Sequence, residues 1–200
     1  MKIHVRKIVN LIGIAIFLMA FYFLLTGHSI FIFLGYLAFA AVLMLPRVIY
    51  RRLGLHENFS NEMLDWIEIS FSVIVLLSVA GYMWLFDYLY NYDTYVHFFT
   101  PLFLFVIFAV LFKAATIHFK IKTNKSDVVL ASLVVAMSLI LLWELFEYFI
   151  TIKLGKNMFF ISTQPNDTLY DVVAGFMSLP VGAVLVYKYN DFIFDLFKKK

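Results

Sequence analysis

Ionisable residues interrupt the long apolar runs of this sequence in pairs, at spacings of three or four. The pairs are Asp93/His97 in NYDTYVHFFTP, Glu144/Glu147 in LLWELFEYFI and Asp167/Asp171 in QPNDTLYDVVAG. Such spacings place both members of a pair on one face of an α-helix. A charged side chain at mid-membrane costs about 2.5–3.5 kcal/mol on insertion scales and usually faces a bundle interior or an aqueous cavity. The pairs therefore predict a functional site.

The donor types indicate metal chemistry. Carboxylates gathered around one imidazole cannot all be ionised without a positive charge, which protons, Lys153 or Lys156, or a bound metal would supply. Helix bundles build metal sites from Glu and His at these spacings. The donors suit Mn²⁺, Fe²⁺ or Mg²⁺, and catalytic zinc also accepts carboxylate. We expect a divalent metal ion, with Glu144 and Glu147 also acting in catalysis, held by a set comprising Asp93, His97, Glu144, Glu147, Asp167 and Asp171.

All of these residues except Asp171, which lies one turn inside its helix, also have a simpler explanation. Asp93 and Asp167 stand where helices are predicted to begin, and Asp is a preferred N-cap residue. His97 alone would be typical of a hydrogen-bonded buried histidine. Glu144 and Glu147 could snorkel or pair with Lys153. A further acid, Glu68, lies in the third apolar run near the predicted cytoplasmic end of the helix and is predicted to snorkel there.

The apolar runs that must position these pairs have the composition of membrane spans. Hydrophobic residues make up 64% of the 200 residues and charged residues only 14%, whereas about a quarter of a soluble domain is charged. Runs long enough to cross a bilayer cover about residues 8–25, 29–45, 66–90, 95–112, 128–152 and 169–189. We predict an all-α polytopic membrane protein whose six transmembrane helices form one bundle and one domain, residues 1–200. The connection 46–65 is partly amphipathic, which favours a short interfacial helix.

Basic residues are concentrated in alternate connections. Lys and Arg occur before the first run, after the second, around the fourth-to-fifth connection and at the end of the chain, while TGHS and DYLYNYDT contain none. Only Lys153 and Lys156 depart from this pattern. The positive-inside rule then predicts cytoplasmic termini and places the ionisable pairs on the extracytoplasmic side. Because the charge follows topology, it does not indicate nucleic acid, and the absence of cysteine excludes thiolate chemistry and disulfides.

The segments YDTYVHFFTP, LLWELFEYFI and DTLYDVVAGFMSLPVGA together resemble an order of motifs found in small bacterial inner-membrane proteins. These are the YjdF-type family and, more distantly, the VanZ-like proteins associated with teicoplanin resistance. The resemblance covers about residues 85–190 and carries over the six residues named above as a shared polar set. VanZ-like proteins often have an Asn in the last motif, where this chain has Val172, Val173 and Ala174, so the YjdF-type match is better. The resemblance implies a role in the cell envelope.

Three functions are compatible with these residues. We expect a multi-pass cell-membrane protein acting as a metal-dependent hydrolase or transferase on an envelope lipid or a lipid-linked phosphate substrate. A proton-coupled transporter would use the same acids as relays. A structural or accessory protein would use them only to fix helix packing. The expected partners are membrane lipid, a lipid-linked substrate and a second copy in a homo-oligomer.

Overall fold

The computed structural model describes residues 5–89, 91–154 and 167–197, and every regular element among them is helical. A 3₁₀ turn covers Leu55–Glu57 and a π-helical segment covers Gly81–Leu85. The all-α prediction is confirmed. The α-helices are α1 (Val5–Leu25), α2 (Ile30–Val42), α3 (Leu45–Arg52), α4 (Asn61–Ala80), α5 (Phe86–Tyr88), α6 (Tyr92–His118), α7 (Lys125–Leu154) and α8 (Asp167–Phe197).

Six stretches in the described part of the chain are long and apolar enough to cross a membrane, which confirms the predicted number of spans. Several extend beyond the apolar runs, because polar residues flanking a run can still be helical. The short helix expected in the connection 46–65 is α3, which continues the second span. The stretches are Val5–Leu25, Ile30–Arg52, Asn61–Met83, Tyr92–His118, Lys125–Ile152 and Thr168–Phe192.

The start of α7 illustrates this extension. The backbone N–H of Asn124 donates to Asp127 Oδ2 at 2.8 Å, and the N–H of Asp127 donates to Asn124 Oδ1 at 3.0 Å. This reciprocal pair of bonds is a capping arrangement, which satisfies amide groups that have no partner within the helix. Helix α7 therefore begins at Lys125, before the apolar run starts.

The described helices fall into two compact units, Met1–Val79 with Phe197–Lys200, and Ala80–Leu196. In the first unit, α1 and α2 pack closely. A Cβ added at Gly13 would lie 3.7 Å from Met44 and 3.8 Å from Leu43. The rings of Phe23 and Tyr36 are 5.0 Å apart, a separation typical of favourable aromatic contacts.

A buried ion pair ties helices of the first unit together. The side chain of Glu68 is fully buried and pairs with Arg47, whose Nε and Nη2 donate to its two carboxylate oxygens. Arg47 Nη1 also donates to Asn10 Oδ1 at 2.6 Å. The prediction that Glu68 snorkels is therefore wrong. Arginine offers two parallel donors that match a carboxylate, so Glu68 is satisfied within the protein and does not reach for water.

In the second unit, α6, α7 and α8 share an apolar core. Two glycines of α8 permit the close approach. A Cβ at Gly175 would lie 3.1 Å from Ile140 on α7, and a Cβ at Gly182 would lie 2.9 Å from Phe105 on α6. Small residues at such contacts let helix backbones approach in membranes.

Candidate functional site

Five of the residues predicted for the site lie at one end of α6, α7 and α8. Asp93 and His97 occupy the first turns of α6, Glu144 and Glu147 the last third of α7, and Asp171 the second turn of α8. The contact between Ile140 and Gly175 explains how α7 and α8 align. Glu144 is one turn after Ile140 and Asp171 one turn before Gly175, so the two acids extend from that contact towards the same end.

His97 lies at the centre of the cluster. Its Nδ1 is 3.1 Å from Glu144 Oε1, and its Nε2 is 3.5 Å from Asp93 Oδ1 and 4.0 Å from Asp171 Oδ2. One imidazole thus faces carboxylates from all three helices. A neutral imidazole donates a proton from one nitrogen and accepts at the other, so the two sides of His97 cannot play the same role.

The cluster is withdrawn from solvent. The side chains of Asp93 and His97 are 13% and 11% exposed, and Glu144, Glu147 and Asp171 are buried. The alternative that Glu144 and Glu147 snorkel is therefore wrong. His97 Nδ1 lies 3.1 Å from Glu144 Oε1, and no other group among the described residues donates to either oxygen of Glu144. A buried carboxylate in this condition is costly.

Two sets of these side chains have the spacing to hold an ion. One is His97 with Glu144 and Glu147, and the other is His97 with Asp93 and Asp171; in each, one atom per residue lies within 4.8 Å of the others. Ligand atoms bonded at about 2.1 Å to one ion are at most roughly 4.2 Å apart. Small side-chain rotations would therefore close either set around a metal.

The structure thus brings together five of the six predicted residues. The side chain of Asp167, whose backbone begins α8, lies outside the part of the chain that the structure describes, and so do Lys156 and the side chain of Lys153. Asn91, with φ 60°, occupies the N-cap of α6 and Asp93 follows in the first turn. The alternative that Asp93 is the N-cap is therefore wrong.

Sequence reasoning did not identify Thr100. Its hydroxyl oxygen is buried and has no hydrogen-bond partner among the described residues, and it lies one turn after His97 on the same face of α6. The next residue, Pro101, has no N–H to donate to the carbonyl of His97, as the residue four positions later in a helix normally does. The segment HFFTP contains the features that could have drawn attention to Thr100, a hydroxyl and a proline one turn beyond the histidine.

The comparisons with known proteins concern the chain as a whole. No curated protein and no solved structure matches it significantly. Residues 8–192 match the family described as "Predicted membrane protein (DUF2238)". This match spans all the membrane-crossing helices and every residue of the cluster, in agreement with the composition and the fold. The chain therefore belongs to the DUF2238 family of membrane proteins.

Proposed function

We propose that this protein is a metal-dependent enzyme that acts on a phosphate-bearing envelope lipid or lipid-linked precursor at the extracytoplasmic side of the membrane. His97, Glu144 and Glu147 hold the metal, and Asp93, Asp167 and Asp171 complete or orient this set. The resemblance to YjdF-type and VanZ-like proteins supports the part of this proposal that concerns the cell envelope.

The observation that carries the proposal is the state of Glu144. Its side chain is 6% exposed, and apart from His97 Nδ1, which also has to serve the other acids of the cluster, no described group donates to its oxygens. Burying an ionised carboxylate is unfavourable unless it is paired or bound to a metal. A divalent ion between Glu144 and Glu147 supplies that pairing and also relieves the repulsion between the two carboxylates.

The two ring nitrogens of His97 face different acids and so distinguish the two sides of the cluster. Since Glu144 is the unsatisfied acid, the ion belongs on the Nδ1 side of His97, with Glu144 and Glu147. His97 Nε2 then carries the proton and donates towards Asp93 and Asp171, at 3.5 and 4.0 Å. A carboxylate that orients a metal-bound histidine in this way fixes its tautomer and raises its basicity. In the alternative arrangement, a second ion binds on the Nε2 side of His97, with Asp93 and Asp171.

The chemistry follows from the donors. A divalent ion polarises a phosphoryl oxygen and lowers the pKa of bound water, which makes hydrolysis or transfer feasible near neutral pH. A carboxylate of the cluster that is not bound to the ion serves as the general base that takes the proton of the attacking water or hydroxyl. The surrounding burial strengthens each of these interactions.

The test is the metal content of full-length protein purified without chelators. We expect Mn, Fe, Mg or Zn at about one ion per chain in the wild type and a near-complete loss in Glu144→Gln/Glu147→Gln, which keeps side-chain volume. Glu62→Gln removes an exposed carboxylate of α4 and serves as the matched control. Equal metal content in the wild type and the double variant would overturn the proposal. Metal-free wild-type protein would favour the proton-coupled transporter, for which the close approach of His97 to three acids is also suited.

A further inference from the structure

An apolar groove of about 350 Å³ lies between α6 and α8, beside the carboxylate cluster. Its lining residues are Thr94, Tyr95, Phe98, Phe99 and Ala174. The volume falls within the range of roughly 300–1,000 Å³ that is typical of ligand sites. Both walls belong to stretches long and apolar enough to cross a membrane, and Thr94 and Tyr95 lie in the first turn of α6, so the groove lies near one end of these stretches.

The groove and the cluster are continuous along the helices. Ala174 lies three residues after Asp171, so the two share a face of α8. On α6, Thr94 and Phe98 are the sequence neighbours of Asp93 and His97, and their side chains occupy the adjoining face of the helix. A ligand with one end at the cluster would therefore reach the groove within about one helical turn, roughly 5 Å.

The outer wall of the groove is open. Tyr95 is 57% and Phe99 43% exposed, whereas Ala174 at the floor is only 9% exposed. Tyr95 and Phe99 are four residues apart, so their rings form one ridge along α6. A groove with an aromatic ridge on one side and a small residue at its base fits a linear hydrocarbon chain, which can enter sideways from the bilayer.

We propose that this groove binds one hydrocarbon chain of a phosphate-bearing lipid whose head group lies at the cluster around His97. The inference rests on the proposed function, because the cluster must be the end that receives the phosphate. It adds that substrate selection depends on the chain as well as on the head group. The ligand class is a phosphomonoester lipid with its tail held in the protein, in contrast to a water-soluble phosphate ester.

The experiment uses the full-length protein reconstituted in phosphatidylcholine vesicles that contain phosphatidic acid with a photoactivatable diazirine on one acyl chain. After irradiation, adducts are mapped by peptide mass spectrometry. We expect adducts on Tyr95, Phe98 or Phe99 that excess unlabelled phosphatidic acid suppresses and that inorganic phosphate does not. Adducts on lipid-facing residues elsewhere should respond to neither competitor.

Two variants test the groove itself. Ala174→Phe fills it and should abolish the competable adducts, because the phenyl ring occupies the space that the hydrocarbon chain would take. Val184→Phe, at a position of α8 that is 64% exposed, is the matched control and should leave them unchanged. The ridge variant Tyr95→Ala/Phe99→Ala changes only exposed rings and provides the same test if Ala174→Phe does not fold.

Metal content, measured on the same samples, separates this inference from the proposed function. Bound metal without competable adducts, or adducts that the groove variants leave unchanged, would overturn the lipid groove and leave the metal centre in place. Competable adducts in protein that binds no metal would overturn the metal centre and leave the groove as a lipid site. Suppression by inorganic phosphate alone would show that the head group acts without the tail and would also overturn the inference.

Discussion

The substitution Gly175→Ala tests whether the contact between α7 and α8 sets the geometry of the cluster. The added Cβ would lie 3.1 to 3.2 Å from three carbon atoms of Ile140, whereas comfortable carbon contacts are at about 3.5–4.0 Å. Either Ile140 leaves its rotamer or the two helices separate by a few tenths of an ångström. Overpacking of this kind costs about 1–3 kcal/mol, and replacing a helical glycine by alanine returns about 1 kcal/mol.

The separation matters because Glu144 and Asp171 each lie one turn from this contact. Binding sites require their ligands to be held within about 0.5 Å, and changes in residues that support metal ligands typically weaken metal binding about 10- to 100-fold. We therefore expect Gly175→Ala to lower the free energy of unfolding by at most about 2 kcal/mol. Its effect on metal affinity should be more pronounced, with binding about 10- to 100-fold weaker than in the wild type.

Thermal unfolding in detergent and titration with Mn²⁺ measure the two effects. Gly35→Ala is the matched control, because a Cβ at Gly35 meets nothing within 4 Å, and this variant should be slightly stabilised with metal affinity unchanged. Ile140→Ala in the Gly175→Ala background removes the colliding atoms and should restore affinity, a coupling of the kind that double-mutant cycles reveal. The reasoning is refuted if Gly175→Ala behaves like Gly35→Ala in both assays.

Other parts of the molecule give predictions of their own. Glu68→Ala leaves the guanidinium of Arg47 without its carboxylate and should lower the free energy of unfolding by about 3–5 kcal/mol, whereas Glu62→Ala, at an exposed position, should change it by at most about 0.5 kcal/mol; SDS titration compares the two. Because the chain contains no cysteine, single cysteines report topology without background. A membrane-impermeant maleimide should label Thr26→Cys in intact cells and Lys122→Cys only after permeabilisation, and the reverse pattern would contradict an extracytoplasmic site.

Local periodicity was sufficient to predict much of the fold and of the cluster. The apolar runs predicted all six spans, because crossing a bilayer requires a minimum length of apolar helix. Glu144 and Glu147 stood out because acids are rare in such runs, and the pairs Asp93/His97 and Glu144/Glu147 could be grouped because three- and four-residue spacings define a helix face. These are properties of single helices, which neighbouring residues in the sequence determine.

The features that were missed depend on contacts between distant segments or on local backbone chemistry. Arg47 and Glu68 are 21 residues apart in the sequence, and no spacing rule links them. The N-cap of α6 is Asn91 in a left-handed conformation, which Asn tolerates better than most residues. The capping role that the sequence offered as an alternative for Asp93 is therefore filled two residues earlier. Thr100 lies one turn beyond His97 and precedes Pro101, but the burial of its hydroxyl is visible only in the structure.

Glu68 and Glu144 face the same electrostatic problem and differ in how it is met. Glu68 is fully buried and receives two donors from one guanidinium, so its charge is balanced within the protein. Within the described residues, the group of potential positive charge nearest to Glu144 is the imidazole of His97, which also faces Asp93 and Asp171. A single proton on that ring balances one carboxylate, and the others require protons, Lys153 or Lys156, or a cation from outside the chain. The chain thus pairs one buried glutamate with an arginine and gathers several other acids around one histidine. The group of acids around His97 is the one whose composition suits a cation.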